Sequence, residues 1–218
     1  MTEPTLRVFR IFASLQGEST HAGLPCAFVR LAGCPLCCSY CDTVEARDAQ
    51  GEALTIPAIV ERVRALGPRL VEVTGGEPLA QPATRALLIA LADAGFDVLL
   101  ETSGAFTTAG LDSRVRVVLD VKTPGSGMDA HNRPDNLAAL VPGRDEVKFV
   151  ITDRADFDWT ADLVRRHDLA ARGALLASPV AGAVEPAELA AWILASGQPF
   201  RLQLQLHKLV WPDTGDER

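Results

Sequence analysis

Apolar positions in this chain fall into two alternating rhythms. Short β-branched or leucine-rich runs at residues 27–31, 70–74, 97–101, 115–120, 147–151, 174–177 and 202–206 read as strands. Between most of them lie stretches of helical period, at residues 56–66, 83–94, 156–167 and 186–195. Gly67 and Gly95 stand where helices need a left-handed residue past the end, and Pro57 and Pro186 stand where helices begin. Strand centres near residues 72, 99, 118, 149, 176 and 204 are mostly 27 to 31 apart, the pitch of βαβ crossovers in a parallel sheet.

A closed eight-unit barrel takes about 250 residues. With 218 residues and about six units, the expected fold is α/β, an open or partial parallel barrel over residues 1–218, in one domain with a loose tail from about 213. One strand face carries Val71, Val73, Val117, Leu119, Val147, Phe149, Ile151, Leu202, Leu204 and Leu206, which should meet helices. The other carries Glu72, Thr74, Asp120, Lys122, Glu146, Lys148, Gln203, Gln205 and His207, a polar lumen suited to a ligand. The competing reading, half-exposed antiparallel strands with one wet face, fits poorly with the intervening helices. Residues 124–134 are expected to be loose, and no internal repeat or low-complexity tract is seen.

Composition narrows the class. At 48% hydrophobic and 22% charged the chain resembles ordinary globular proteins. The longest apolar runs are seven residues, against roughly 20 for a membrane span. No basic-then-apolar leader opens the sequence, so a cytoplasmic address is expected. A net charge of −7 argues against nucleic acid or an anionic membrane as the main partner.

Four of the five cysteines lie between residues 34 and 41, directly after the first core strand, at the end of the sheet where barrels build active sites. Soft thiolates at this density suit zinc or an iron–sulfur cluster. Cys34-x3-Cys38-x2-Cys41 gives three thiolates and leaves one iron of a [4Fe–4S] cube open. Cys34-x2-Cys37 with Cys38-x2-Cys41 gives four zinc ligands, though adjacent Cys37 and Cys38 make two facing knuckles hard to form. Cys26, inside a strand, reads as a small buried apolar residue.

C-x3-C-x2-C with Tyr40 before the last cysteine resembles the signature of the radical S-adenosylmethionine (SAM) enzymes, and Thr74-Gly75-Gly76-Glu77-Pro78 is similar to that family's GGEP element. The resemblance implies Cys34, Cys38 and Cys41 as cluster ligands, with Cys37 the competitor for the middle place. Ser14-Leu15-Gln16-Gly17-Glu18, Arg30, Cys41-Asp42-Thr43 and Gln205-Leu206-His207-Lys208 further resemble the 7-carboxy-7-deazaguanine synthase branch, over about residues 6–212. That resemblance implies a lyase of queuosine-type 7-deazapurine biosynthesis. Such a lyase contracts 6-carboxy-5,6,7,8-tetrahydropterin with loss of ammonia, through a 5′-deoxyadenosyl radical formed from SAM and used catalytically. By the same resemblance Leu15, Gln16, Gly17, Glu18, Arg30, Thr74 and His207 bind the pterin and Thr43 ligates Mg²⁺. Tyr40, Cys41, Asp42, Gly76, Ser103, Asp120, Val121, Lys122 and Ser178 surround SAM. An electron donor such as flavodoxin or ferredoxin and a homodimer are implied too. In some relatives a terminal carboxylate reaches the site soon after the QLHK-like stretch, whereas here residues 213–218 follow. The alternatives are an activating enzyme that makes a glycyl radical on a partner protein and a structural module built on a four-cysteine zinc site.

Overall fold

The computed structural model describes residues 3–212. The strands are β1 (Thr5–Leu15), β2 (Pro25–Leu31), β3 (Glu52–Thr55), β4 (Leu70–Gly75), β5 (Asp97–Thr102), β6 (Arg116–Asp120), β7 (Glu146–Ile151), β8 (Ala174–Pro179) and β9 (Phe200–Leu202). The helices are α1 (Val44–Asp48), α2 (Ile56–Leu66), α3 (Thr84–Asp93), α4 (Pro134–Ala139), α5 (Arg154–His167), α6 (Pro186–Ser196) and α7 (Leu206–Val210). One sheet runs in the order β3-β1-β2-β4-β5-β6-β7-β8-β9. From β2 to β9 every pairing is parallel, while β1 and β3 extend the sheet antiparallel. The sheet is open, because β3 and β9 occupy opposite edges.

Local chemistry explains the helix limits. Thr55 caps α2 through its hydroxyl, with Pro57 in the first turn, and Gly67 closes the helix at φ +97°. Asp153 caps α5 by accepting from Asp156 N–H at 2.8 Å. Between these limits the apolar stripes bury against one face of the sheet. Val71, Val73 and Leu100 join Ile59, Val63, Leu87 and Leu91 of α2 and α3. Val117, Leu119, Val147, Phe149 and Ile151 join Phe157, Val164, Leu189 and Ile193 of α5 and α6. On the other face Cys26, Phe28, Leu70 and Leu99, with Phe12 against them, form a small apolar floor. Cys26 is completely buried there, and burial pushes its thiol far above the usual range.

Three expectations are corrected. Residues 202–206 are not a strand: β9 ends at Leu202, Gln203 N–H adds one ladder bond to Ala177 O, and the chain then turns into α7. The Leu-Gln alternation satisfies a strand pattern, yet β8 ends at Pro179, which has no N–H to continue a ladder. His207 therefore reaches the lumen from a helix, and Leu202 stays exposed. The expected common face of Gln203, Gln205 and His207 is likewise lost, because Gln203 is buried away from the cavity the other two line.

Residues 124–134 are built, with single 3-10 turns at Pro124–Ser126 and Asp129–His131 and the start of α4. β1 escaped the periodicity because a register shift between Val8 and Arg10 breaks its alternation. The tail from 213 lies outside the described residues.

Candidate active site

Polar residues on the inner strand face and the loops at the strand ends enclose a cavity of about 510 Å³. The cysteine loop forms one wall. Cys34, Cys38 and Cys41 line the cavity, whereas Cys37 is exposed and faces away, its Sγ 4.0 Å from Met128 Sδ. Burial pushes the Cys34 and Cys38 thiols up, so thiolate formation there calls for a cationic partner beyond the nearby Lys122. Among the described residues no three His, Cys, Asp or Glu side chains gather round a single-ion position.

The glycines of the second motif pack against this loop. A Cβ on Gly76 would run into Gly33 O, and Glu77 N–H donates to Gly33 O at 2.9 Å. Gly75 holds φ +142° against Leu31. Glu77 is fully buried and accepts from Leu79 N–H (2.9 Å), Thr102 Oγ1 (2.8 Å), Ser103 N–H (2.8 Å) and Ser103 Oγ (2.5 Å). The motif thus clamps the end of β4 to the end of β5.

Further round, Lys122 Nζ donates to Asp120 Oδ2 at 2.8 Å and lies 5.9 Å from the centre of the Tyr40 ring. Burial opposes the Lys122 charge, but Asp120 together with Tyr40 and Cys38 more than offsets it and holds the ammonium protonated. Tyr40 Oη, Asp120 Oδ1 and Ser178 Oγ are buried without a hydrogen-bond partner among the described residues, and all three residues line the cavity. Orphaned buried polar atoms facing a cavity are what a polar ligand satisfies.

Next to Cys41 the rim joins motifs far apart in sequence. Gln205 Nε2 donates to Glu18 Oε1 (2.8 Å) and Asp42 Oδ2 (3.2 Å), and Lys208 Nζ donates to Asp42 Oδ2 (2.9 Å). Leu206 N–H donates to Gly17 O at 3.0 Å. Gly17 abuts His207 so closely that a Cβ would strike Nδ1. Burial resists ionisation of Asp42, but Lys208 and Gln205 more than offset this and hold its carboxyl below the usual range. Arg30 Nη1 donates to Thr43 Oγ1 at 3.3 Å, and Thr43 Oγ1 to Asp42 Oδ1 at 3.0 Å.

Leu15, Gln16, Gly17, Glu18, Arg30, Thr74 and His207 all line the cavity, as do Tyr40, Asp42, Thr43, Gly76, Ser103, Asp120, Lys122 and Ser178. Val121 does not; its side chain packs in the apolar cluster behind the sheet, which leaves only its backbone near Lys122. Sequence reasoning left Glu101, Lys148 and Glu72 out of the site. Lys148 ion-pairs with Glu18 and with Glu101 (2.7 Å), Thr74 Oγ1 donates to Glu101 Oε2 (3.4 Å), and Gln16 Nε2 donates to Glu72 Oε2 (2.5 Å). The inward alternation of β4 and β7 signalled two of the three.

Residues 29–157 match the family model described as the Radical SAM superfamily. Over 215 residues the chain is 46% identical to the 7-carboxy-7-deazaguanine synthase of Chlorobaculum tepidum, covering 97% of each. It is 40% identical to the enzyme of the same name from Koribacter versatilis, covering 96% of this chain and 99% of that one. The chain belongs to the 7-carboxy-7-deazaguanine synthase family of the radical SAM superfamily. A crystal structure of QueE from Escherichia coli shares this family's fold, with a TM-score of 0.75 at 22% identity over 93% of this chain and 95% of that one. Streptococcus suis SuiB bound to S-adenosylmethionine matches less of its own length, at 0.58 over 79% and 48%.

Membership implies a [4Fe–4S] cluster and SAM, and the residues present fit both. Three thiols share the cavity wall with the orphaned atoms of Tyr40, Asp120 and Ser178, and a cube's thiolates each meet a different iron, so they need not converge on one point.

Proposed function

We propose that this protein converts 6-carboxy-5,6,7,8-tetrahydropterin to 7-carboxy-7-deazaguanine with loss of ammonia, as a radical SAM lyase of queuosine-type 7-deazapurine biosynthesis. The observation that carries the reading is the meeting of Gln16–Glu18, Asp42–Thr43 and Gln205–Lys208 on one rim of the cavity, next to Cys41 of the cysteine loop. Those stretches tie the chain to this branch, and an activating enzyme acting on a partner protein needs none of them.

Cys34, Cys38 and Cys41 would hold the cluster, which together with SAM supplies the radical chemistry that takes hydrogen from C6 of the pterin and returns it. Tyr40, Asp42, Gly76, Ser103, Asp120, Lys122, Ser178 and the backbone at Val121 are assigned to SAM. Asp120 and Lys122 are mutually paired, so each presents its remaining polar capacity with its charge already compensated. Leu15, Gln16, Gly17, Glu18, Arg30, Thr74 and His207 are assigned to the pterin. Arg30 suits its carboxylate. Thr43 Oγ1, a hard oxygen, would ligate Mg²⁺. Phe12 and Phe28, stacked with centroids 5.2 Å apart, close the floor and keep bulk water from the reacting carbons.

A low-potential protein such as flavodoxin or ferredoxin would reduce the cluster, in the cytoplasm, and two copies would form a dimer. No helix among the described residues is long and apolar enough to cross a membrane. Incubating the reconstituted, reduced enzyme with the carboxytetrahydropterin, SAM and Mg²⁺ should yield the deazapurine, identified by mass, with SAM not consumed in proportion. An iron-replete enzyme that cleaves SAM but leaves the pterin intact would overturn the assignment.

A further inference from the structure

Asp156 lies in the first turn of α5, 2% exposed and outside the cavity lining. Its carboxylate accepts from Thr123 Oγ1 (2.9 Å), Gly125 N–H (2.8 Å), Thr152 N–H (3.1 Å) and Thr152 Oγ1 (2.5 Å). The helix start does not need this, since Asp153 already caps it. Two of the four donors on this buried carboxylate, Thr123 Oγ1 and Gly125 N–H, instead lock the turn at residues 123–125 onto α5, while the two from Thr152 fix the carboxylate itself. Gly125 fits so tightly that a Cβ would meet both Thr152 Oγ1 and Asp156 Oδ2.

The locked turn continues into the cysteine loop. Gly125 O accepts from Ser39 Oγ (2.7 Å), and Ser126 O accepts from Ser39 N–H (3.1 Å). Ser126 Oγ donates to Thr123 O (2.6 Å) and accepts from Met128 N–H (3.0 Å), which places Met128 Sδ to accept from Cys37 N–H at 3.5 Å. The two N–H groups flanking Cys38 are thereby both taken by residues outside the loop. Donors aimed at cluster or ligand sulfurs stabilise the more negative reduced form and raise the reduction potential.

We propose that the turn at residues 124–128, anchored on Asp156, is a bracket. It fixes the cysteine loop and withholds the Cys37 and Ser39 N–H groups from the cluster, so keeping the potential low, with Asp156 as a positioning residue. The bracket's effect on potential rests on the assignment of that loop to the cluster. Its effect on the loop itself does not.

The test uses Asp156→Asn, which keeps the size but replaces one acceptor oxygen by a donor, and Met128→Leu, which keeps the bulk and removes the sulfur acceptor. In the metal-free chain, amide exchange at Ser39 should quicken about tenfold in Asp156→Asn, as expected for the loss of one hydrogen bond, and exchange at Cys37 should quicken likewise in Met128→Leu. In the reconstituted enzymes an EPR-monitored titration should place both midpoint potentials above that of the wild type at equal iron content. Unchanged exchange, or an unchanged potential in an iron-replete variant, overturns the proposal. Should Asp156→Asn fail to fold, Met128→Leu decides by both readouts. Wild-type protein that takes up no iron would sink the cluster assignment instead, and the exchange rates would still judge the bracket.

Discussion

Glu72 sets an acidic group at the bottom of a wet cavity, where burial, and after it the neighbouring Glu101, push its carboxyl well above the usual range despite Gln16 and Lys148. The folded chain therefore keeps a proton that the unfolded chain releases above about pH 4.3. Stability falls as pH rises wherever the folded state binds more protons, so Glu72 becomes a growing burden from that pH upward. Replacing it by Gln, which keeps the shape and an acceptor for Gln16, should leave the melting temperature near pH 4 almost unchanged and raise it progressively toward pH 8. A constant difference between the two proteins across that range would remove the titration of Glu72 from the account. The cysteines separate as sharply at this scale. Cys34→Ala, Cys38→Ala and Cys41→Ala should each abolish the brown chromophore and SAM cleavage, whereas Cys37→Ala, altering a thiol that faces Met128 outside the cavity, should retain iron. A colourless Cys37→Ala beside a competent Cys38→Ala would reverse that choice of ligand.

Between elements, the clamp made by Glu77 matters more than its place in a ligand-binding motif suggests. Three of its four accepted bonds tie the end of β4 to the end of β5, and a bond to a charged group contributes about 1.5–3 kcal/mol. Glu77→Gln turns an acceptor into a donor facing Ser103 or Thr102, and by that measure should lower the melting temperature by about 3–12 °C at 2–4 °C per kcal/mol. SAM affinity should fall with it, because Ser103 loses its anchor; a melting temperature within a degree or so of the wild type would contradict the clamp.

The pattern of residues already disclosed most of this architecture, since α2 and α5 carry clear stripes, α3 and α6 are apolar runs, and the glycines and prolines bounding α2, α3 and α6 are local signals. What stayed hidden was tertiary. Leu-Gln alternation at 202–206 is the same whether or not a neighbouring strand offers a ladder, and Pro179 decides that it does not. The clamps on Gly125 and Asp156 join residues about thirty positions apart, so no local period could announce them.

At the scale of the whole chain the cavity is closed by its two extremes. Glu18 meets Gln205 across 187 residues, Asp42 meets Lys208 across 166, and Leu206 N–H of α7 donates to Gly17 O, while Leu209 and Val210 are exposed. The ion pair of Asp42 and Lys208 is partly open to solvent and contributes only about 0.2–1 kcal/mol, a weak latch added to the bond between Leu206 and Gly17. A pterin bound as proposed between Gln16–Glu18 and His207 would add to that latch, whereas SAM would touch it only through Asp42. Ligand at a hundred times its dissociation constant stabilises by about 2.7 kcal/mol, or roughly 5–11 °C in melting temperature for a chain of this size. Lys208→Ala should therefore cost the unliganded protein little and change the shift produced by SAM less than the one produced by the pterin. It should lower the affinity read from the pterin-dependent shift by up to about fivefold, the value of the lost pair. A variant that loses both shifts equally would mean that α7 supports the entire site, and one that loses neither would detach the C-terminal residues from pterin binding.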